Sequence, residues 1–146
     1  MARAKANGIE IEYETAGDRK NPALLLVMGL GAQLTIWPDR LFHGLADKGF
    51  FVIRYDNRDV GLSTDFGKWG PANIPAALQA AMKGEKVSAP YLLDDMAADA
   101  IGLLDSLGIE TAHMVGASMG GMIVQLVAGK YPQRTRSMVS IYSTSG

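Results

Sequence analysis

Residues 115 to 121 read VGASMGG, which places Ser118 between two glycines, each two positions away. The segment AHMVGA (112–117) predicts a β-strand, and the segment MGGMIVQLVAGKY (119–131) predicts a helix. A G-x-S-x-G sequence between a strand and a helix is typical of a sharp turn that lifts the serine oxygen beyond the strand ends. Gly116 and Gly120 lack side chains, so the chain can pass close to itself on both sides of Ser118.

A serine lifted in this way could act as a nucleophile, but the glycines around Ser118 also allow two alternatives. A dinucleotide or phosphate loop would need glycine at position 118 or lysine after Gly120, and neither is present. A glycine-rich turn without any chemistry stays open on the residues alone. In favour of chemistry, the Met119 amide at the start of the predicted helix has no helical acceptor, and the helix dipole adds positive charge there.

The composition limits the classes of function. The chain has 146 residues, of which 48% are apolar and 20% charged, so it can bury the core of a single domain. Its net charge of -1 gives no reason to expect nucleic acid or a membrane as a partner. Cysteine is absent, which excludes disulfides and thiolate chemistry. The N-terminus lacks the apolar core of a signal peptide, so we expect a soluble cytoplasmic protein. We also expect no metal and no cofactor.

Strand and helix patterns alternate along the chain after an N-terminal hairpin at Asn7-Gly8. The pattern predicts an α/β protein, with a mostly parallel, doubly wound sheet and helices on both faces. The predicted strands after the hairpin are 23–28, 50–55, 112–117 and 137–143, and the predicted helices are 38–48, 74–82, 91–108 and 119–131. The apolar residues of helix 91–108 recur at helical spacing: Leu93, Met96, Ala97, Ala100, Leu104 and Leu107.

Four segments together resemble the α/β-hydrolase superfamily, and within it the small bacterial hydrolases of the aclacinomycin methylesterase type. They are LLLVMGLGAQLTIWP, FVIRYDNRDVGLS, YLLDDMAADAIGLLDSLGIETAHMVGASMGGMIVQLVAGKYP and RTRSMVSIYSTSG. The resemblance extends from about residue 8 to residue 146. It implies that residues 1–146 are the N-terminal portion of one α/β-hydrolase domain and supply about six of the eight strands of its sheet.

The resemblance also implies roles for individual residues. Ser118 corresponds to the nucleophile, and Gly116 and Gly120 to the glycines of the nucleophile turn. The Met28-Gly29-Leu30-Gly31 turn corresponds to the oxyanion loop, so the backbone amides of Leu30 and Met119 would form the oxyanion hole. Met28 replaces the usual histidine. In YDNRDVGLS we expect four polar residues to brace neighbouring loops: Asp56, Arg58, Asp59 and Ser63.

The base and acid that would activate the serine are not evident in the sequence. No Asp, Glu or His follows Ser118. His113 lies five residues before it on the same predicted strand, ~16 Å away at ~3.3 Å per residue, and His43 lies in a predicted helix, so we expect both to be structural. The resemblance implies that the cap, the last strands, the acid and the histidine follow the serine, so we expect them outside this chain. The strand Met138–Tyr142 would be an exposed edge that a complementary C-terminal chain covers.

The resulting hypothesis is a serine hydrolase that cleaves a small apolar carboxylic ester or lactone through an acyl-enzyme at Ser118. The apolar residues Trp69, Leu78 and Met82 form a candidate pocket rim above the serine, although we favour the alternative that they belong to a packing excursion at the top edge of the sheet. The isolated chain is expected to be nearly inactive. Cofactor-free perhydrolysis and a non-catalytic ligand-binding module on the same fold are the alternatives.

Overall fold

A six-stranded sheet organises the chain. The computed structural model describes residues 1–70 and 73–145, without the side chains of Trp69 and Ile74. In this part of the chain the strands are β1 (Ala2–Ala6), β2 (Ile9–Ala16), β3 (Ala23–Val27), β4 (Phe51–Tyr55), β5 (Ala112–Ala117) and β6 (Thr135–Ile141). The helices are α1 (Asp39–Asp47), α2 (Ile74–Met82), α3 (Leu93–Ser106) and α4 (Met119–Lys130). Short 3₁₀ helices, which the sequence did not predict, lie at Leu34–Ile36, Gly67–Trp69 and Pro132–Arg134.

The strand order confirms the predicted mostly parallel α/β sheet. The order is β1-β2-β4-β3-β5-β6. The N-terminal hairpin is antiparallel and pairs with β4, whereas β4, β3, β5 and β6 are parallel to one another. The carboxyl ends of these four strands therefore meet at one edge of the sheet, where open α/β sheets bind their ligands.

Helices cover both faces of the central strands. All five residues of β3 and all five of β4 are buried, as their continuous apolar sequences predicted. On one face Leu25 and Ile53 join the core formed with α3 and α4, and on the other face Leu24 and Val52 pack near Phe42 of α1. The predicted apolar face of α3 is confirmed, because Met96, Ala97, Ala100, Leu104 and Leu107 are buried.

The last strand differs from its predicted bounds. β6 begins at Thr135, and Tyr142 lies beyond its end with a φ of 50° and a side chain that is 96% exposed. Residues 135–137 are polar, but they still extend the strand. Pairing with β5 uses backbone hydrogen bonds and needs no apolar side chain. Among the described residues β6 pairs only with β5, and Met138 and Val139 are 40% and 49% exposed.

Candidate active site

Ser118 lies in a strained turn between β5 and α4. Its φ is 56° and its ψ is -126°, a combination that is rare for a residue with a side chain. The turn is fixed on both sides, because the Ser118 amide donates to the Ile141 carbonyl at 2.9 Å and the Ser118 carbonyl accepts from the Gly121 amide at 2.9 Å. The serine is exposed, and its hydroxyl has no hydrogen-bond partner in the described ranges.

The two glycines of the turn allow the chain to approach itself closely. A methyl group at Gly116 would overlap the Gly120 carbonyl, and a methyl group at Gly120 would overlap the carbonyl of Val27 at the end of β3. The turn is therefore packed directly against the neighbouring strand. This is the arrangement that the spacing of the glycines around Ser118 indicated.

The loop that leaves β3 borders the serine. We call residues 28–34 the exit loop. A Cβ at Gly29 would lie 2.9 Å from Ser118 Cβ and 3.2 Å from its Oγ, so only a residue without a side chain fits there. The Leu30 side chain is 82% exposed. Within the part of the chain that the structure describes, neither the Leu30 amide nor the Met119 amide donates a hydrogen bond.

The polar residues after β4 brace neighbouring loops, as predicted. Asp56 accepts hydrogen bonds from the Leu34 amide at 2.7 Å and the Leu62 amide at 3.0 Å. The Ser63 hydroxyl donates to the Asp56 carbonyl at 2.6 Å and accepts from the Glu12 amide at 2.9 Å. These bonds connect the end of β4 to the exit loop and to the N-terminal hairpin.

Arg58 and Asp59 connect the same loop to α3. Arg58 forms a bidentate ion pair with Asp99, with both N···O distances at 2.7 Å and both side chains at least 95% buried. Asp59 accepts from the Tyr91 hydroxyl at 2.6 Å. Partial burial is the largest cause that raises the pKa of Tyr91 to about 12, and this hydrogen bond is the second largest. The phenol therefore stays a neutral donor at physiological pH.

Sequence reasoning missed two buried polar residues in this network. Asn57 donates from Nδ2 to the Met28 carbonyl at 2.8 Å. It lies inside the YDNRDVGLS segment, but nothing in the sequence distinguishes it from a solvent-exposed loop residue. The sequence could have indicated the burial of Asp99. It lies three residues after Met96, which is buried, and therefore on the same face of the helix.

The two histidines make their described contacts with residues other than Ser118. His113 is hydrogen-bonded through Nδ1 to the Ser137 hydroxyl at 2.7 Å and packs edge-on against Phe50. His43 lies on the exposed side of α1 and contacts the ring of Phe42. Both have the structural surroundings that we predicted, and neither is bonded to Ser118 in the described ranges.

Two of the three candidate rim residues, Leu78 and Met82, do not line the nearby cavity. A cavity of about 840 Å³ lies beside α2, and the helix turns Ala76, Ala77 and Ala80 toward it. Leu78 and Met82 are 61% and 82% exposed and are not among its described lining residues. They lie on the opposite side of α2, because positions 78 and 82 are about half a turn away from 76, 77 and 80. The Trp69 side chain lies outside the described residues.

Neither a metal centre nor a membrane span is found in the described ranges. No group of three or more His, Asp or Glu side chains there is arranged to hold a metal ion. No helix among these residues is long and apolar enough to cross a bilayer.

Comparison with known proteins identifies relatives of the chain. A family model described as alpha/beta hydrolase fold matches residues 22–145. Rhodomycin D methylesterase of Streptomyces peucetius is 38% identical over 123 residues, which cover 83% of this chain and 35% of the relative. The 3-oxoadipate enol-lactonase 2 of Acinetobacter baylyi is 31% identical over 134 residues, covering 92% of this chain and 42% of the relative.

A solved structure has the same fold. The enol-lactonase from Burkholderia xenovorans LB400 superposes with a TM-score of 0.76 at 27% identity, and the match covers 99% of this chain and 47% of that one. The chain thus spans less than half the length of these relatives. The family match over residues 22–145, together with the sheet order and the serine turn, establishes that the chain belongs to the α/β-hydrolase fold family.

Proposed function

We propose that the chain carries the nucleophile and the oxyanion hole of a serine hydrolase that cleaves carboxylic esters or lactones. The observation that carries this proposal is the exposed Ser118 hydroxyl, without a hydrogen-bond partner in the described ranges, on a strained turn against Gly29. Strained backbone persists where the surrounding structure enforces it, and such residues cluster at active sites. The names of the methylesterase and lactonase relatives support the bond type.

In the first step Ser118 Oγ attacks the ester carbonyl carbon. The Oγ proton passes to a histidine, an Oγ–C bond forms, and the carbonyl π electrons move to the oxygen. The Leu30 and Met119 amides then donate to that oxyanion. Each donor of this kind contributes about 3 kcal/mol to transition-state stabilisation.

Collapse of this intermediate releases the alcohol and leaves an acyl group on Ser118. The C–O bond to the leaving group breaks, and the histidine returns its proton to the departing oxygen. A water molecule attacks the acyl carbon by the same route in reverse, which releases the acid and restores the serine hydroxyl. A lactone follows the same steps and gives a single open-chain product.

We propose that the histidine and its acidic partner belong to polypeptide outside these 146 residues. No Asp, Glu or His follows Ser118 in this sequence, and in this fold the acid and histidine follow the serine. The greater length of the relatives is consistent with this source. We also propose that the same polypeptide covers the open edge of β6 and completes a binding site for a small apolar ester, with the oxyanion bound by backbone amides alone.

A fluorophosphonate probe tests the nucleophile in the full-length protein. We expect covalent labelling of Ser118, located by peptide mass, and no labelling of the Ser118→Ala variant. Hydrolysis of p-nitrophenyl acetate should fall by about 10⁴-fold to 10⁶-fold in that variant. The control is Ser140→Ala, which should keep both labelling and activity. The Ser140 hydroxyl lies beside Gly121 of the turn, and its one side-chain partner in the described ranges is Gln125, from which it accepts a hydrogen bond.

The same experiment separates the alternatives. A protein that binds acyl esters but resists the probe would be a ligand-binding module and would contradict the hydrolase proposal. Formation of peracid from acetate and hydrogen peroxide, lost in Ser118→Ala, would show that the serine also supports perhydrolysis.

A further inference from the structure

Two buried polar residues follow β4 and contact the exit loop of β3. Asp56 and Asn57 are 3% and 2% exposed. The strands β3 and β4 are parallel neighbours, so the segments that follow them leave the sheet side by side. The loop that carries the Leu30 amide is therefore held laterally by the end of the next strand.

Asn57 fixes the first peptide of the exit loop. Its Nδ2 donates to the Met28 carbonyl at 2.8 Å, and the bond is buried. A trans peptide is planar, with its C=O and N–H pointing in opposite directions. Holding the Met28 carbonyl therefore also fixes the orientation of the Gly29 amide, beside Ser118.

The next peptide is fixed by the loop itself. The Gly29 carbonyl accepts from the Ala32 amide at 3.3 Å. The opposite end of that peptide is the Leu30 N–H, so its direction is set by the same planarity. Because this second bond is long, the orientation of the Leu30 amide depends strongly on the Met28 anchor before it.

Asp56 holds the far end of the loop. Its Oδ1 accepts from the Leu34 amide at 2.7 Å, while its Oδ2 accepts from the Leu62 amide at 3.0 Å. The second bond keeps the carboxylate from rotating away from the first. Consecutive residues after β4 thus secure the exit loop at its first residue and at its last.

We infer that Asn57 is a positioning residue, which acts through Met28 to hold the Leu30 N–H where the oxyanion forms. The inference rests on the proposed function, since it assigns Asn57 a task in that reaction. An oxyanion donor matters most in the transition state, where the charge develops. Loss of the anchor should therefore lower kcat rather than weaken substrate binding.

The variant Asn57→Leu in the full-length protein removes the amide while keeping a similar volume. With p-nitrophenyl acetate we expect kcat to fall by about 10-fold to 100-fold and KM to stay within about twofold, as for a donor displaced by about 1 Å. The control is Asn7→Leu. It removes an amide that donates to Asp99 at 2.9 Å and to the Asp95 carbonyl at 3.2 Å and makes no hydrogen bond to the exit loop in the described ranges, so it should keep the parent kcat.

Hydrogen exchange gives a readout that does not depend on activity. The backbone amides of residues 29–34 should exchange about tenfold faster or more in Asn57→Leu, and at the parent rate in Asn7→Leu. If the parent protein showed neither probe labelling nor turnover, the proposed hydrolase would fail, and the exchange rates would still decide whether Asn57 orders the loop.

The variant Asn57→Asp tests the need for a donor at this atom. A protonated carboxyl can donate to the Met28 carbonyl, whereas a carboxylate repels it. The kcat of Asn57→Asp relative to the parent should therefore rise as the pH is lowered. A ratio that stays low at every pH, a parent-like kcat in Asn57→Leu, or unchanged exchange of residues 29–34 would each overturn the inference.

Discussion

At the scale of single residues, the backbone of Ser118 is the distinctive feature. A positive φ at a residue with a side chain costs about 1–3 kcal/mol and persists only where neighbouring contacts enforce it. Here the enforcing contacts are the bonds to Ile141 and Gly121 and the close approach of the two glycines. The G-x-S-x-G spacing predicted this turn because each of its glycines is required by packing.

Gly116→Ala should destabilise the protein without touching the serine. The added methyl group would overlap the Gly120 carbonyl, and overpacking of this kind costs about 1–3 kcal/mol. We expect a lower midpoint in urea unfolding of the full-length protein. The matched control is Gly44→Ala in α1, where a Cβ meets nothing within 4 Å and should add up to about 1 kcal/mol of stability. Equal midpoints for the two variants would contradict the packing argument.

At the scale of elements, the loop after β4 and helix α3 are joined by a buried ion pair. Arg58 and Asp99 face each other with little access to water, and Asn7 of the hairpin turn donates to the same carboxylate. Three segments that are distant in sequence therefore meet at Asp99. A buried pair of this kind contributes more to the arrangement of the segments than to net stability, because desolvation offsets much of the attraction.

Removing one partner of this pair should have a large effect. Asp99→Asn removes the carboxylate that is hydrogen-bonded to the buried Arg58 charge, which should lower the free energy of unfolding by about 3 kcal/mol or more. Asp105→Asn makes the same chemical change in the ion pair with Arg134, where the Asp105 side chain is 59% exposed, and should cost less than about 1 kcal/mol. Urea unfolding measures both. A loss in Asp99→Asn no greater than in Asp105→Asn would show that the burial has little energetic weight.

The elements themselves followed closely from the sequence. The hairpin, the buried strands β3 and β4, the amphipathic helix α3 and the strand–turn–helix around Ser118 were all predicted, because each has a local pattern with one dominant period. The start of β6 was wrong, since its first residues join the sheet through backbone pairing with β5. The short 3₁₀ helices were missed because they have no apolar period of their own.

The candidate site was less predictable than the fold. The roles of Ser118, Leu30 and Met119 came from a motif and a resemblance, and they stay predictions until the serine is labelled. Asn57 could not have been identified, because its bond to Met28 joins two loops that only the sheet brings together. The exposure of Leu78 and Met82 depends on which side of α2 faces the protein, and that short helix has apolar residues on both sides.

At the scale of the whole molecule, the two edges of the sheet differ. At one edge β1 carries Arg3 and Lys5, whose charges discourage pairing with another chain. At the other edge β6 presents Met138 and Val139, both substantially exposed. An exposed apolar edge with unpaired backbone groups is a site of association.

The 146-residue chain expressed alone should therefore associate through β6. Val139→Lys should move the midpoint of association to a concentration about tenfold higher or more, since a lysine on an edge strand opposes pairing. Val87→Lys is the control, because Val87 is also exposed but lies in the loop before α3. Light scattering over a dilution series measures the midpoint. Identical behaviour of both variants would show that association does not involve this edge.

The strand order also sets the distance between the two edges of the sheet. Five inter-strand spacings separate β1 from β6, or about 24 Å at ~4.8 Å each. The chain contains no cysteine, so thiols introduced at Lys5 and Arg136 would be the only sites for maleimide dyes. Energy transfer between such dyes would follow the closing of the whole sheet during refolding, independently of any catalytic assay.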